Sequence, residues 1–557
     1  MNKVIYRIGI IAGLSLLTSC NMDRAPETTL TNDSYWNTAD DVKYGVNNLY
    51  NFLPVINTAT INEIVINGDP NMDLLSDDLY SSRNSVNEGS WNASYDDKSY
   101  RSNYVLIRYT NNILEKSDEI LSKGVKAEDI AKYRGETYFF RAMGYFDMFR
   151  RFGGVPLILK TLSTDSPELK APRASRDETL DQIYKDLDMA ISLLPLPSKS
   201  GAANYGRITK TAALAFKSRV ALFEGTRAKF HGYGDPVKHL TLARDAAKAV
   251  MDSNEHSLFG NYFNLFQYEG EGFANKENIL VKMYGQNAAN PISTHVIQRN
   301  FEGGFNPTLA LANSYLAIDG VPTEKSNEYT TATVSWDLYK NRDPRMSATF
   351  FKKGDPFISS KNYDYPSLNL QQTGFGLRKY ANVPDWTAQR SFIDKPVIRY
   401  AEVLLNYAEA IYELNGSISD ADLAKSIVLL RKRAGFPDND KAGNSIVFTN
   451  NFVSSHGLNM RDEIRRERRV ELASEGFRYW DLIRWKTAET ELPKSTLGSY
   501  YYSDWPAKGT GVRLTPDGYL LIQEGSTKKF NVQRDYLFPF PTNEIAINPN
   551  LKQNPGW

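Results

Sequence analysis

The chain has 557 residues, with 66 Lys and Arg against 65 Asp and Glu, a net charge of +1, and a single cysteine. That balance offers no field for nucleic acid or another polyanion, and one thiol can build neither an intramolecular disulfide nor a Cys-rich zinc site. Aromatic residues make up 12% of the chain, 33 of them tyrosine, a supply suited to surfaces that are apolar on a face and hydrogen-bonding at a tip.

The first element is a leader. Lys3 and Arg7 precede an apolar run from Ile8 to Leu17, and Thr18 and Ser19 stand directly before Cys20. This is the layout of a secretory signal peptide, too short to span a bilayer at ~20 residues per crossing. Leu17 to Cys20 resembles a bacterial lipobox, which implies cleavage before Cys20 and a diacylglycerol on its thiol. Residues 1–19 are then the signal peptide and 20–40 a lipidated, polar tether, with more than one acyl chain supplying stable attachment. No later apolar run approaches spanning length, so membrane contact is expected through the lipid anchor alone.

Within 41–256, apolar residues recur at helical spacing over 104–121, 131–150 and 179–194, the last closed by Pro195 and Pro197, and alanine-rich helices follow at 209–223 and 236–251. From 257 to 395, Gly, Asn, Tyr and Pro dominate. This is too long for a structureless loop in a compact domain, so it reads as an irregular inserted subdomain and the better place for ligand binding. The last region, 396–557, returns to helix: Ala401, Leu404, Leu405, Ala408, Ile411 and Tyr412 share one face, with Glu402, Asn406, Glu409 and Glu413 on the opposite one. Over 461–486 glutamates and arginines interleave, and opposite charges meet at i,i+3 (Glu463 with Arg466, Arg468 with Glu471), which predicts a structural ion-pair helix in place of a nucleic-acid surface. Phe477, Trp480, Leu482, Ile483 and Trp485 behind it are expected core anchors, and an extended, Pro-punctuated tail ends the chain. The predicted architecture is mostly α: a tetratricopeptide-like α-solenoid of about four helix pairs with an irregular, loop-rich insert, although no clean repeat period is legible.

Catalytic signatures are missing. There is no His-Glu-x-x-His, no Gly-x-Ser-x-Gly, no P-loop and no dinucleotide glycine pattern, and the five histidines are dispersed. The adjacent carboxylates Asp77–Asp78 and Asp96–Asp97 read as solvated turn or cap residues rather than an acid–base pair. No enzyme, cofactor or metal is expected.

Six segments together carry a resemblance: "TYFFRAMGYFDMFRRFGGVPLI", "GRITKTAALAFKSRVALFEG", "IRYAEVLLNYAEAIYELNG", "LRKRAGFP", the Arg/Glu helix ending in "GFRYWDLIRW", and the terminal "FPFPTNEIAINPNLKQNPGW". In this order they resemble the SusD/RagB family of Bacteroidetes outer-membrane lipoproteins over nearly the whole mature chain. The resemblance implies a frame of four tetratricopeptide-like helix pairs and a place on the outer face of the outer membrane. It also implies a partner, a SusC-type TonB-dependent transporter, to which captured oligosaccharide is delivered. A peptide-capturing variant of the family and a surface glycoside hydrolase are the alternatives.

A glycan site needs exposed rings to stack on the C–H faces of sugars, flanked by polar groups for the hydroxyl edges. Trp91, Asn92, Tyr95 and Asp96 meet that description in a Ser/Asn-rich stretch. In the insert Tyr284, Trp336, Tyr363, Tyr365 and Trp386 are candidates, with Tyr363 and Tyr365 expected to stand exposed on a turn and Trp336 less favoured because a helix-like frame element follows it.

Overall fold

The computed structural model describes residues 35–56, 68–69, 71–81, 92–285, 303–357, 361–388, 391–506, 509 and 511–557. Cys20, the leader and Trp91 lie outside them. Among the described residues no helix is long and apolar enough to cross a membrane.

The principal helices are α1 (Ala39–Leu49), α2 (Lys98–Ser122), α3 (Ala127–Phe152), α4 (Arg176–Leu193), α5 (Lys210–His231), α6 (Pro236–Asp252), α7 (Tyr400–Asn415), α8 (Ile427–Ala434), α9 (Met460–Glu471) and α10 (Arg478–Arg484). Their starts follow local chemistry. Asp97 caps α2 by accepting from the Tyr100 amide, and Thr38 and Ser175 form capping boxes with Asp41 and Glu178, each satisfying amides that the first turn leaves open. From α2 to α6 each helix packs on the one before it, and α7 continues the series against α6 and α9. The result is the expected mostly helical, tetratricopeptide-like solenoid. Small residues set the close spacing: a Cβ at Gly225 of α5 would meet Leu240 of α6 at 2.9 Å, and Ala212, Ala213, Ala221 and Ala228 on α5 are all buried.

The polar side of α7 is a correction to the amphipathic reading. Glu402, Asn406, Glu409 and Glu413 are as buried as the apolar face. Each meets a partner from another helix: Glu402 accepts from Arg219 at 2.6 Å, Glu409 from Arg484 at 2.5 Å, Glu413 from Lys229 at 2.6 Å, and Asn406 from Arg468 at 2.8 Å. Helices on both sides of α7 cover it, so its charges are spent inside the fold.

The ion-pair helix α9 is likewise structural, but its partners differ from those expected. Glu463 does meet Arg466 at 3.2 Å, whereas Arg468 turns to Asp481 at 2.9 Å and Glu471 is claimed by three arginines of other elements. Arg345 reaches Glu471 at 2.9 Å, Arg399 reaches it at 2.6 Å, and Arg433 also donates to it. Arg345 further pairs with Glu467 and Asp343, Arg399 with Glu277 and Glu475, and Lys379 with Glu475 at 2.7 Å. This buried network ties the 257–395 stretch to α9. In that stretch β1 (Asn278–Lys282) pairs antiparallel with β2 (Lys395–Arg399), which runs directly into α7. Asp77 and Asp78 are a further correction: they are not solvated turn residues, for Asp78 is buried, Asp77 is mostly so, and both are held by Arg469 and Arg478. The core anchors Trp480, Leu482, Ile483 and Trp485 are buried as expected.

Acid should loosen this fold. Burial alone would raise the Glu409 carboxyl, but the Arg484 guanidinium reverses that and pulls it down to about 2; Glu471 is likewise penalised by burial and held far below the usual carboxylate range by Arg433, Arg399 and Arg345. A carboxylate depressed in the folded state contributes stability above its unfolded pKa of about 4.3, and that contribution is lost as pH falls toward the folded value. The melting temperature is expected to fall steeply between about pH 4.5 and pH 2; a melting temperature unchanged from pH 6 to pH 3 would contradict the pairing.

Candidate functional site: an aromatic groove

A hairpin near the C-terminus, β3 (Thr496–Tyr500) and β4 (Tyr519–Gln523), faces the 303–388 part of the chain and closes a groove with it. On one side the turn Ser335–Tyr339 projects Trp336 outward, 40% exposed, while Tyr339 points in and donates to the Phe351 carbonyl at 2.8 Å. The Ser335 amide and hydroxyl donate to Asp504 at 2.9 and 2.6 Å, fastening this turn to the loop after β3. Lys353 sits 4.7 Å from the Trp336 ring centre and 3.0 Å from Asp364, so cation and carboxylate border the indole. The second side is formed by Ser499, Tyr502 and Trp505 of the run "GSYYYSDW", 498–505. Tyr500, 40% exposed, stands edge-on to Tyr502 and Tyr519 at 5.3 and 5.7 Å, and Tyr502 packs on Trp505, also at 5.7 Å. Gly374, at φ +73°, lets the backbone pass beneath Trp505, whose ring a Cβ there would meet at 2.7 Å.

Two of the predicted residues, Trp336 and Tyr363, line this groove, and a third, Tyr365, lies between two of its lining residues. Trp336 and Tyr365 are exposed, the latter at 45%, between Asp364 and Pro366 of the groove wall. Tyr363 is a correction. It is buried at 6%, stacked 5.4 Å from Phe351 with its hydroxyl donating to Gln371, because the short pairing of Pro356–Phe357 with Lys361–Asn362 folds it inward. Burial, then Asp355, raises its phenol far above the ordinary value, so it remains a neutral donor. Tyr363 supports the groove and presents no platform.

The other candidates lie elsewhere. Tyr284 is a second correction: it is buried, and its hydroxyl accepts from the Ile56 amide at 3.2 Å. Trp386 is partly buried on the short helix Val383–Ala388. Asn92 and Tyr95 are exposed, Tyr95 at 76%, but the carbonyls of Ser94 and Tyr95 accept from Thr542 and Asn543 of the C-terminal segment, and Asp96 pairs with Arg101 at 2.7 Å. Sequence reading missed Tyr500, Tyr502 and Trp505. Their signal is present, three tyrosines and a tryptophan in polar context, but the segment falls in the 396–557 region, outside the insert read as the place for ligand binding. An interior cavity of about 120 Å³ among α3, α5 and α10 belongs to the frame, its charged lining paired internally as Asp147 with Arg150 and Asp481 with Arg484.

A helical-repeat frame bearing a partly exposed aromatic groove with Lys353 and Asp364 at its rim defines a ligand-binding protein. The comparisons place it more closely. Residues 269–557 match the family model described as the SusD family, and 29–222 match one described as "Starch-binding associating with outer membrane"; the chain belongs to the SusD family. The SusD-like protein P38 of Formosa agariphila is 25% identical over 504 residues, spanning 85% of this chain and 90% of that one. The crystal structure of a SusD-like carbohydrate-binding protein from Bacteroides fragilis is 26% identical, covering 93% of this chain and all of that one at a TM-score of 0.76. A laminarin-binding SusD-like protein shares the fold at 21% identity and a TM-score of 0.63, over 94% of this chain and all of that one.

Proposed function

We propose that this protein is an outer-membrane lipoprotein, anchored at Cys20 and facing outward, that captures oligo- or polysaccharide in the aromatic groove and passes it to a SusC-type TonB-dependent transporter. The observation that carries the glycan reading is Trp336, a partly exposed ring in the wall of a groove backed by Phe351, Tyr363, Tyr502 and Trp505, with Lys353 and Asp364 beside it and the exposed Tyr365 and Tyr500 on residues adjoining the wall. The carbohydrate-binding relative from Bacteroides fragilis supports the same ligand class. Binding is favoured over hydrolysis because Asp364 is the one carboxylate among the described residues of the groove's wall, and an acid–base pair needs two. The lipobox and the family model's outer-membrane description support the location.

Isothermal titration of the protein lacking its leader and anchor against neutral and acidic polysaccharides, with product analysis, tests the ligand class. Saturable heat from one glycan without cleavage is expected. Heat from mixed peptides alone would move the protein to peptide capture, and shortened glycan products would make it a hydrolase. For the anchor, Cys20→Ala is expected to leave the protein unacylated and to shift it out of the outer-membrane fraction. Acylated Cys20→Ala protein that still sediments with membranes would refute the assignment.

A further inference from the structure

On the outer side of α9 an open cavity of about 360 Å³ is lined by Arg465, Arg466, Arg469 and Arg478, with Trp485 and Thr487 in its wall. The guanidiniums are fixed from behind. Arg469 donates through Nε to Asp78 at 2.7 Å and through Nη2 to Asp77 at 3.0 Å, and Arg478 through Nε and Nη2 to the two oxygens of Asp77 at 2.8 and 3.0 Å. In both, these bonds leave Nη1 unused. Arg465 is clamped between the rings of Phe230 and Trp485, 4.8 and 4.6 Å from their centres. Its Nε and Nη2, together with the Thr487 hydroxyl, are buried polar atoms with no hydrogen-bond partner among the described residues. Two carboxylates share the wall: Glu491, engaged by Lys494 at 2.7 Å, and the exposed Asp462.

Three planar forks held in place, with Nε and Nη2 of Arg465 unmet and Arg466 beside them, suit one chemistry. Guanidinium edges recognise flat or tetrahedral oxyanions through paired N–H bonds, and a side chain ordered in advance loses little freedom on binding. Arg469 and Arg478 are balanced by Asp77 and Asp78 and Arg466 pairs with Glu463, so Arg465 is the cation whose donors are unmet, and a neutral ligand would leave its charge-assisted bonds unmade. We propose that this cavity is a binding site for a small oxyanion, a sulfate or a carboxylate, separate from the aromatic groove.

The test titrates inorganic sulfate, and in parallel acetate, into the protein lacking its leader and anchor by calorimetry, at constant ionic strength held with sodium chloride. Saturable one-site binding is expected, and the tighter of the two anions names the group the cavity takes. Arg466→Gln and Arg465→Lys, the second keeping the charge but losing the fork, are expected to weaken binding by about tenfold or more, while Asp462→Asn tightens it. Circular dichroism and the melting temperature check that the variants are folded. No saturable heat from either anion in the parent protein overturns the proposal, as does unchanged affinity in folded Arg466→Gln and Arg465→Lys. Because neither anion contains a sugar ring, failure here leaves the glycan reading of the groove intact.

Discussion

Replacing Glu471 by alanine is expected to destabilise the protein by about 3–5 kcal/mol, enough to leave much of it unfolded at physiological temperature. Glu471 is completely buried and accepts from Arg345, Arg399 and Arg433 together. Its loss strands three guanidiniums that have already given up their water, and the penalty of an uncompensated buried charge exceeds what any one pair contributed. Neighbouring acids only partly cover the deficit: Arg345 keeps Asp343 and Glu467, and Arg399 keeps Glu277 and Glu475, whereas Arg433 is left with Glu277 alone. Urea titration by circular dichroism measures the effect. Glu471→Gln, which keeps the shape and an acceptor but removes the charge, should fall between parent and alanine variant. A Glu471→Ala protein within about 1 kcal/mol of the parent would show that the network is dispensable.

That network marks where sequence reading stops. The helices were legible because their signals are local: alanine and aromatic spacing over 104–121, 131–150 and 209–223 depends on residues three and four apart, and the observed helices differ mainly by extending to their caps. Charge partners are not local. An Arg/Glu-rich helix offers i,i+3 neighbours on paper, and Glu463 with Arg466 takes that option. Arg468 and Glu471 instead answer to Asp481 and to arginines 38 to 126 residues away, because both are buried on faces that other elements cover. The same logic reversed the reading of Asp77 and Asp78, whose Ser-rich context suggested solvent while Arg469 and Arg478 wait nearly 400 residues downstream. Within the groove, composition could find rings in polar context but not which way they point. Tyr363 and Tyr365 are two residues apart in one turn, and one is buried while the other is exposed. The hairpin tyrosines reach the site only through tertiary docking, when Asp504 accepts from Ser335.

The combined substitution Trp336→Ala, Tyr365→Ala, Tyr500→Ala is expected to abolish measurable binding of whichever glycan the parent protein captures. A stacked ring contributes about 0.5–1.5 kcal/mol beyond its buried area, so each single change should weaken binding by about tenfold. Trp336 should cost most, since its indole offers the widest face and Lys353 and Asp364 stand beside it to hydrogen-bond hydroxyls at the sugar's edge. All three rings are 40–45% exposed, so removing them opens no core cavity and the melting temperature should change little. This separates them from Tyr363 and Trp505, whose truncation would collapse the groove for structural reasons. Tyr363→Phe supplies the contrast: it keeps the ring on Phe351, loses only the bond to Gln371, and should bind glycan as the parent does. Calorimetry on the same glycan decides between the two roles. A folded triple variant that binds like the parent would move the site off this groove, and the exposed Tyr95 beside the C-terminal segment would then be the next ring to test.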